Sequence, residues 1–164
     1  MADTKRLAIA KALTALLENE VAVSNGYQHD LAGKVHRGRV TFGIREALPR
    51  VALVETLNPD REPMRAGWQP TQKDTLILLV QGHAEDDAEN PTDPAHLLMG
   101  DVKKALAKIG LTTSEHHMLG GLIAGFNMEP GIVRPQDEVS SMAYFYLRVR
   151  LEVVEYLADP FRLN

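Results

Sequence analysis

The chain has 164 residues, of which 45% are hydrophobic and 24% charged, proportions typical of one globular domain with a sizeable core. Its 18 Lys and Arg residues against 22 Asp and Glu give a net charge of −4. This balance argues against general binding to nucleic-acid phosphates, which requires a clustered basic surface. The chain has no cysteine, which excludes disulfides and thiolate zinc sites and suits the cytosol.

The N-terminal segment predicts an amphipathic helix that begins at Lys5, capped by Thr4, and ends before Val21. Its apolar stripe, at spacings of three and four, consists of Leu7, Ala10, Leu13, Leu16 and Leu17. The basic start superficially resembles a signal peptide, but Lys11 interrupts the apolar positions and Glu18 follows them. No apolar run approaches the roughly 20 residues that span a bilayer, so we expect a soluble protein without a membrane partner.

Two short strands are predicted next, over residues 34–40 and 50–57. The first contains Gly38, and a glycine inside a strand often marks a bulge or a close backbone approach. The second is rich in β-branched residues. The cationic residues 34–39 leave two interpretations open. In the first, they form an exposed edge strand whose charges prevent it from pairing with other chains. In the second, Arg37 and Arg39 contact a partner, which is either Glu152 or an acidic loop of another subunit.

Residues 58–72 predict a loop or an extended hairpin arm, because residues 58–71 contain three prolines and one glycine. Trp68 lies inside this arm. A tryptophan in such a place packs back onto its own domain as a local anchor, or serves as a hot spot at an oligomer interface.

The central part of the chain predicts a strand, an acidic loop and a second helix. Residues 73–84 include the run LILLV, which is apolar on both faces and indicates a central strand covered on both sides. The acidic residues 85–90 follow, and Thr92 and Pro94 begin the helix, which Gly110 ends. Its predicted stripe is Leu97, Leu98, Val102, Ala105, Leu106 and Ile109. For residues 111–125 the sequence allows two interpretations, a strand interrupted by glycines or a loop that crosses the core.

The final strand, predicted over residues 142–158, carries the clearest functional signal. Its odd positions are apolar: Phe145, Leu147, Val149, Leu151 and Val153. The even positions between them are Tyr146, Arg148, Arg150 and Glu152. Strict alternation predicts one face on the core and one face in water. Arginine and tyrosine are also enriched where proteins bind one another.

These elements predict an α+β fold in a single domain over residues 1–164. The sheet is mostly antiparallel, two main helices pack on one of its faces, and the hairpin arm projects from it.

The histidines and acidic residues do not match a catalytic or metal-binding pattern. Adjacent His116 and His117 point in different directions whether the segment is extended or helical, and no zinc spacing is present. His83 precedes the acidic residues 85–87, but the spacing of a calcium loop is missing. Glycine-rich nucleotide motifs are also missing. We therefore expect no catalytic residue, no metal and no cofactor.

Several strings of the sequence carry a resemblance to a known family. They are GKVHRGRV, LPRVALVE, DTLILLVQGHAE and the final Phe/Tyr/Arg-rich strand, in a layout that covers roughly the whole chain. This layout is similar to that of the tail terminator and minor tail proteins of tailed bacteriophages, of the lambda-like type.

The resemblance implies a structural protein of the virion and not an enzyme. Such proteins form a homohexameric ring on the head-proximal end of the tail tube, stop its polymerisation and offer a surface to the head-completion or connector protein. The ring assembles in the host cytoplasm, and DNA passes through its lumen without specific binding. By position and chemistry, the interface candidates are Arg37, Arg39, Trp68, Tyr146, Arg148, Arg150 and Glu152.

Three other functions compete with the tail terminator. A head–tail connector or neck protein shares the small α+β fold and the ring symmetry. A small metal-dependent enzyme would use His83, Asp86, Asp87 and either His116 or His117. A binding module would act as a monomer or dimer.

Overall fold

The structure, a computed structural model, describes residues 1–43, 45–60 and 71–164. In chain order its elements are α1 (Lys5–Glu20), a 3₁₀ turn (Val23–Asn25), β1 (Val35–Arg37), β2 (Arg50–Thr56), β3 (Thr71–His83), α2 (Asp93–Ala107), α3 (Met118–Gly121), β4 (Gly125–Met128), β5 (Ile132–Arg134) and β6 (Tyr144–Tyr156). The predicted α+β fold with a mostly antiparallel sheet is confirmed.

The sheet is built around the long β3–β6 ribbon. These strands pair antiparallel over 13 residues, from Thr71 opposite Tyr156 to His83 opposite Tyr144. The strand order is β1-β2-β3-β6-β4, and β5 also pairs with β6 beyond the end of β4. Among the strands that the structure describes, only β1 and β2 pair in parallel. The sheet therefore has two different edges, β1 on one side and the interrupted β4–β5 edge on the other.

One face of the sheet, here called the inner face, packs against both long helices. The odd residues of β6 and Leu76, Leu78 and Val80 of β3 share one apolar core with α1 and α2. The predicted alternation of β6 is confirmed, because its five apolar odd residues are at most 1% exposed. Phe145 lies directly over Gly82, where an added Cβ would come within 2.1 Å of the ring. A side chain at position 82 would therefore displace the largest fully buried residue of the core.

The opposite face, here called the outer face, carries the even residues of β6. The central position of β3, between β2 and β6, is confirmed. The predicted coverage of β3 on both faces is not confirmed, because its residues in the apolar core all lie on the inner face. Ile77 of the outer face is 2% exposed but lies outside that core.

Both long helices begin and end near the predicted residues, but their buried stripes differ in detail. Thr4 caps α1 by accepting a hydrogen bond from the Leu7 backbone N–H at 3.3 Å. Leu7 itself is 42% exposed, and Ile9, which the predicted stripe omitted, is fully buried. In α2, Leu97 is exposed whereas its neighbour Leu98 is fully buried. In each helix the spacing rule placed one leucine just outside the width of the buried stripe.

The segment left open over residues 111–125 is a series of turns that leads into β4. Its single helical turn, α3, has positive φ at all four residues, from +48° at Met118 to +90° at Gly121. Such a turn is left-handed and disfavoured for residues with a Cβ. Leu119 is nevertheless buried in the core, so burial of its side chain holds the turn in place.

Most of the predicted arm, including Trp68, lies outside the described residues. Its last two residues, Thr71 and Gln72, belong to β3 and not to a loop. Within the described ranges, no helix combines the length and apolarity needed to cross a membrane.

Candidate assembly surface

The even residues of β6 form a polar row along the outer face. Tyr146, Arg148, Arg150 and Glu152 lie on this face because a strand alternates its side chains, and they stand opposite Gln81, Leu79, Ile77 and Thr75 of β3. Four of the seven interface candidates therefore share one surface, here called the arginine row.

The charges of the arginine row are held by weak surface ion pairs. Glu129, just beyond β4, lies 3.8 Å from Arg148 and 3.4 Å from Arg150. At the far end Glu152 pairs with Lys73 of β3 at 2.9 Å. Both arginine side chains are more than a third exposed, so each pair contributes about 0–1 kcal/mol. These charges can exchange partners at little cost to the fold.

Aliphatic side chains lie beside the arginines on the outer face. Ile77 and Leu79 of β3 are in register with Arg150 and Arg148, and Val54 of β2 is in register with Leu79. Ile77 is 2% exposed, so the accessible apolar area beside the arginines comes from Leu79 and Val54, which are partly exposed. Arginine beside accessible apolar area is a composition that is enriched where proteins bind one another.

Arg37 and Arg39 lie apart from the arginine row. Arg37 is exposed at the end of β1, an edge strand as predicted, and Arg39 pairs with Glu46 and stacks on Phe42 at 4.8 Å. The prediction that these arginines contact Glu152 of the same chain is wrong, because β2 and β3 lie between β1 and β6 in the sheet. Contact with another subunit stays a prediction, as does the role of Trp68, which lies outside the described residues.

A second cluster at one end of the outer face was missed in the sequence. Arg50, His83 and Tyr144 stand side by side on β2, β3 and β6, each 6% exposed. Phe42 covers them, its ring centroid 4.4 Å from the Arg50 guanidinium carbon and 5.9 Å from the His83 ring. The three residues occupy strand ends that are far apart in the chain, so only the pairing register reveals the cluster.

The charges in this cluster are shaped by burial. Burial, reinforced by the Arg50 charge, lowers the pKa of His83 from 6.5 to about 4. Burial also lowers the pKa of Arg50, which remains a cation. His83 is therefore neutral at pH 7 and sits beside a positive charge.

His116 contacts acidic side chains in an ion-pair network, and not His117 or the acidic residues 85–90. Its Nε2 lies 3.0 Å from Glu20 and 3.5 Å from Glu115. Three ligand-type atoms, one from each of these residues, lie within 4.8 Å of one another. The Lys108 ammonium also binds Glu20, and hydrogen bonding to it lowers the pKa of that carboxyl. A cation already occupies this carboxylate, so the network joins α1 to the end of α2.

The other residues that the competing metal-dependent enzyme would use are engaged elsewhere. Asp86 accepts a hydrogen bond from Gln136 at 3.2 Å, and Asp87 caps its own loop by accepting from the Glu89 and Asn90 backbone N–H groups. His83 faces Phe42 and Tyr144 at ring distances of 5.9 and 6.0 Å. The contacts of His83, Asp86 and Asp87 therefore do not converge on one another.

Arg6 of α1 is a further charged centre that the sequence did not indicate. It lies 2.5 Å from Glu55, 3.2 Å from Asp74 and 3.9 Å from Glu155. A pocket of about 310 Å³ opens beside it at the base of the arm. Arg6 thus ties the start of α1 to three strands where the arm leaves the sheet.

No protein-family model matches this chain, and no curated protein matches it either. The geometry of the outer face therefore carries the functional proposal.

Proposed function

We propose that this chain is a structural virion protein of the tail terminator type. Copies of it form a ring on the head-proximal end of a phage tail tube, stop the polymerisation of the tube and bind the head connector. The ring of six copies follows from the family resemblance. The observation that carries the proposal is the arginine row, a charged and partly aliphatic surface along the outer face of β6, a strand of 13 residues.

The two edges of the sheet support a ring rather than a two-fold dimer. A ring needs two different surfaces on each subunit that fit one another, so that each copy binds the next in the same sense. The sheet offers such a pair of unlike borders in β1 and the β4–β5 edge. The net charge of −4 suits a ring through which DNA must pass without being held.

Reversing one charge of the arginine row tests the proposal. We expect Arg150→Glu to weaken self-assembly or tube binding by about tenfold or more, because it places like charges together across a contact surface. The isolated protein should remain folded, since Arg150 is 37% exposed and makes a single surface ion pair. Sedimentation velocity and pull-down with purified tail tubes measure assembly, and circular dichroism measures the fold.

Lys11→Glu is the matched control. Lys11 lies on the exposed side of α1, away from the outer face, and pairs with Asp3 at 2.8 Å in a similarly exposed ion pair. It undergoes the same reversal of charge, so its assembly should equal that of the unmodified protein. Equal assembly of the Arg150→Glu and Lys11→Glu variants would contradict an interface role for the arginine row.

A further inference from the structure

Arg50 is a buried cation without a carboxylate partner among the described residues. It is 6% exposed, and its polar contacts are the Glu46 backbone oxygen at 3.5 Å and the Met142 sulfur at 4.0 Å. Its Nε has no hydrogen-bond partner within residues 1–43, 45–60 and 71–164. No carboxylate in the described part of the chain lies within ion-pair distance of it.

The nearest acidic side chain is committed to other groups. The Glu46 carboxylate binds Arg39 and accepts a hydrogen bond from the Gly43 backbone N–H at 3.1 Å. Burying a guanidinium without a partner costs free energy of folding. Such a residue therefore points to a role other than packing. Buried, unpaired ionisable groups are enriched at binding sites.

His83 adds a second unsatisfied polar group at the same place. It stands directly opposite Arg50 in the β2–β3 register and is 6% exposed. Its Nδ1 has no hydrogen-bond partner in the described part of the chain. In the tautomer that carries a proton on Nδ1, the imidazole and the guanidinium offer three or more N–H donors on adjacent strands. Such donors match the two oxygens of one carboxylate.

Phe42 closes this site in the isolated chain. Its ring lies 4.4 Å from the Arg50 guanidinium carbon, is partly exposed and does not belong to the apolar core. A cation–π contact is weaker than a bidentate arginine–carboxylate pair in a desolvated place. An incoming carboxylate can therefore displace Phe42.

We propose that Arg50 and His83 form a receptor for one carboxylate, supplied by an aspartate or glutamate side chain of a neighbouring copy, with Phe42 moving aside. The identity of the donor rests on the proposed ring, whereas the receptor itself rests on the geometry of the single chain.

Charge favours a protein carboxylate over nucleic acid. The acidic residues 85–90 begin two positions after His83, and Asp137 accepts a hydrogen bond from the Tyr144 hydroxyl at 3.1 Å. A strand of phosphates would meet these carboxylates, whereas a single side chain needs to reach only one guanidinium.

The variant Arg50→Met separates a receptor from a purely structural arginine. Removing an unpaired buried cation should raise the melting temperature of the isolated protein, while self-assembly should weaken by about tenfold or more. Arg45→Met is the control: Arg45 is an exposed arginine in the segment before β2, and its replacement should change neither quantity. A lower melting temperature would contradict an unpaired, destabilising Arg50, and normal assembly would overturn the neighbouring copy as the carboxylate donor.

A titration with acetate tests the receptor without assembly. In the unassembled protein with labelled histidines, acetate should shift the His83 imidazole signals by NMR and raise its pKa from about 4. Chloride at equal ionic strength, and acetate with the Arg50→Met variant, should leave them unchanged. Absence of any acetate effect would overturn the carboxylate receptor.

The two experiments distinguish a failure of the receptor from a failure of the ring. If acetate binds but Arg50→Met assembles normally, the neighbouring copy is not the donor and the ring proposal stands. If the unmodified protein never assembles, the ring proposal fails, and with it the neighbouring copy as donor. The acetate titration then decides on the receptor alone.

Discussion

His83 shows how a single buried residue can set the pH dependence of the whole fold. Its side chain is 6% exposed beside the Arg50 cation, so the native state excludes the proton that an unfolded histidine binds. In the unfolded chain its pKa is the ordinary 6.5, against about 4 in the native state. Between these two values the unfolded state binds more protons, so stability falls as the pH is lowered through that window.

We predict that the free energy of unfolding decreases by up to about 3 kcal/mol between pH 6.5 and pH 4 because of His83. The His83→Gln variant, which cannot take up this proton, should lose most of that slope. Urea unfolding at several pH values across the window measures it. Carboxyls with lowered pKa, such as Asp137, act mainly at the acidic end. Equal slopes for both proteins would contradict a neutral, buried His83.

Individual surface residues could be predicted from the sequence, but their partners could not. The alternation in β6 was enough to place Tyr146, Arg148 and Arg150 on one face. The pairing of both arginines with Glu129 depends on where β4 ends against β6, which a local pattern does not contain. The cluster of Arg50 and His83 was missed for the same reason.

At the scale of elements, the two long helices show what periodicity can and cannot decide. The spacing of apolar residues identified α1 and α2 and most of their buried faces. It could not fix the width of the stripe, because that depends on how closely each helix sits on the sheet. Leu97 and Leu98 were both assigned to the core, and only Leu98 lies in it.

We expect Leu98→Ala to lower the free energy of unfolding by about 2–5 kcal/mol, because it leaves a cavity under α2. Leu97→Ala makes the same chemical change one residue away, at a side chain 48% exposed, and should cost less than about 1 kcal/mol. Chemical denaturation of both variants compares them directly. Similar losses would mean that the face of α2 is assigned wrongly.

The left-handed turn α3 lies beyond any prediction from local preference. Met118 and Leu119 disfavour positive φ, so the sequence suggested a strand or a loop over this segment. The turn is held by burial of Leu119 and by the Met118 backbone N–H, which donates to the Ile109 oxygen at 2.9 Å. Tertiary packing overrides the local preference here.

At the scale of the whole molecule, the fold class followed from the order of the elements and the topology did not. Helix, strands, helix and a long final strand indicated an α+β domain with helices on one face. The parallel pairing of β1 with β2, and the division of the second edge into β4 and β5, depend on long-range contacts. The same open sheet leaves the two unlike edges on which the proposed ring depends.

The most direct test of the proposed function is the mass of the protein in solution. Light scattering after size exclusion, over a concentration series with and without purified tail tubes, gives the number of copies in each species. The proposal predicts a species of about six copies, alone or only on tubes, since a closed ring has a fixed number of subunits. A strict monomer under both conditions would contradict it.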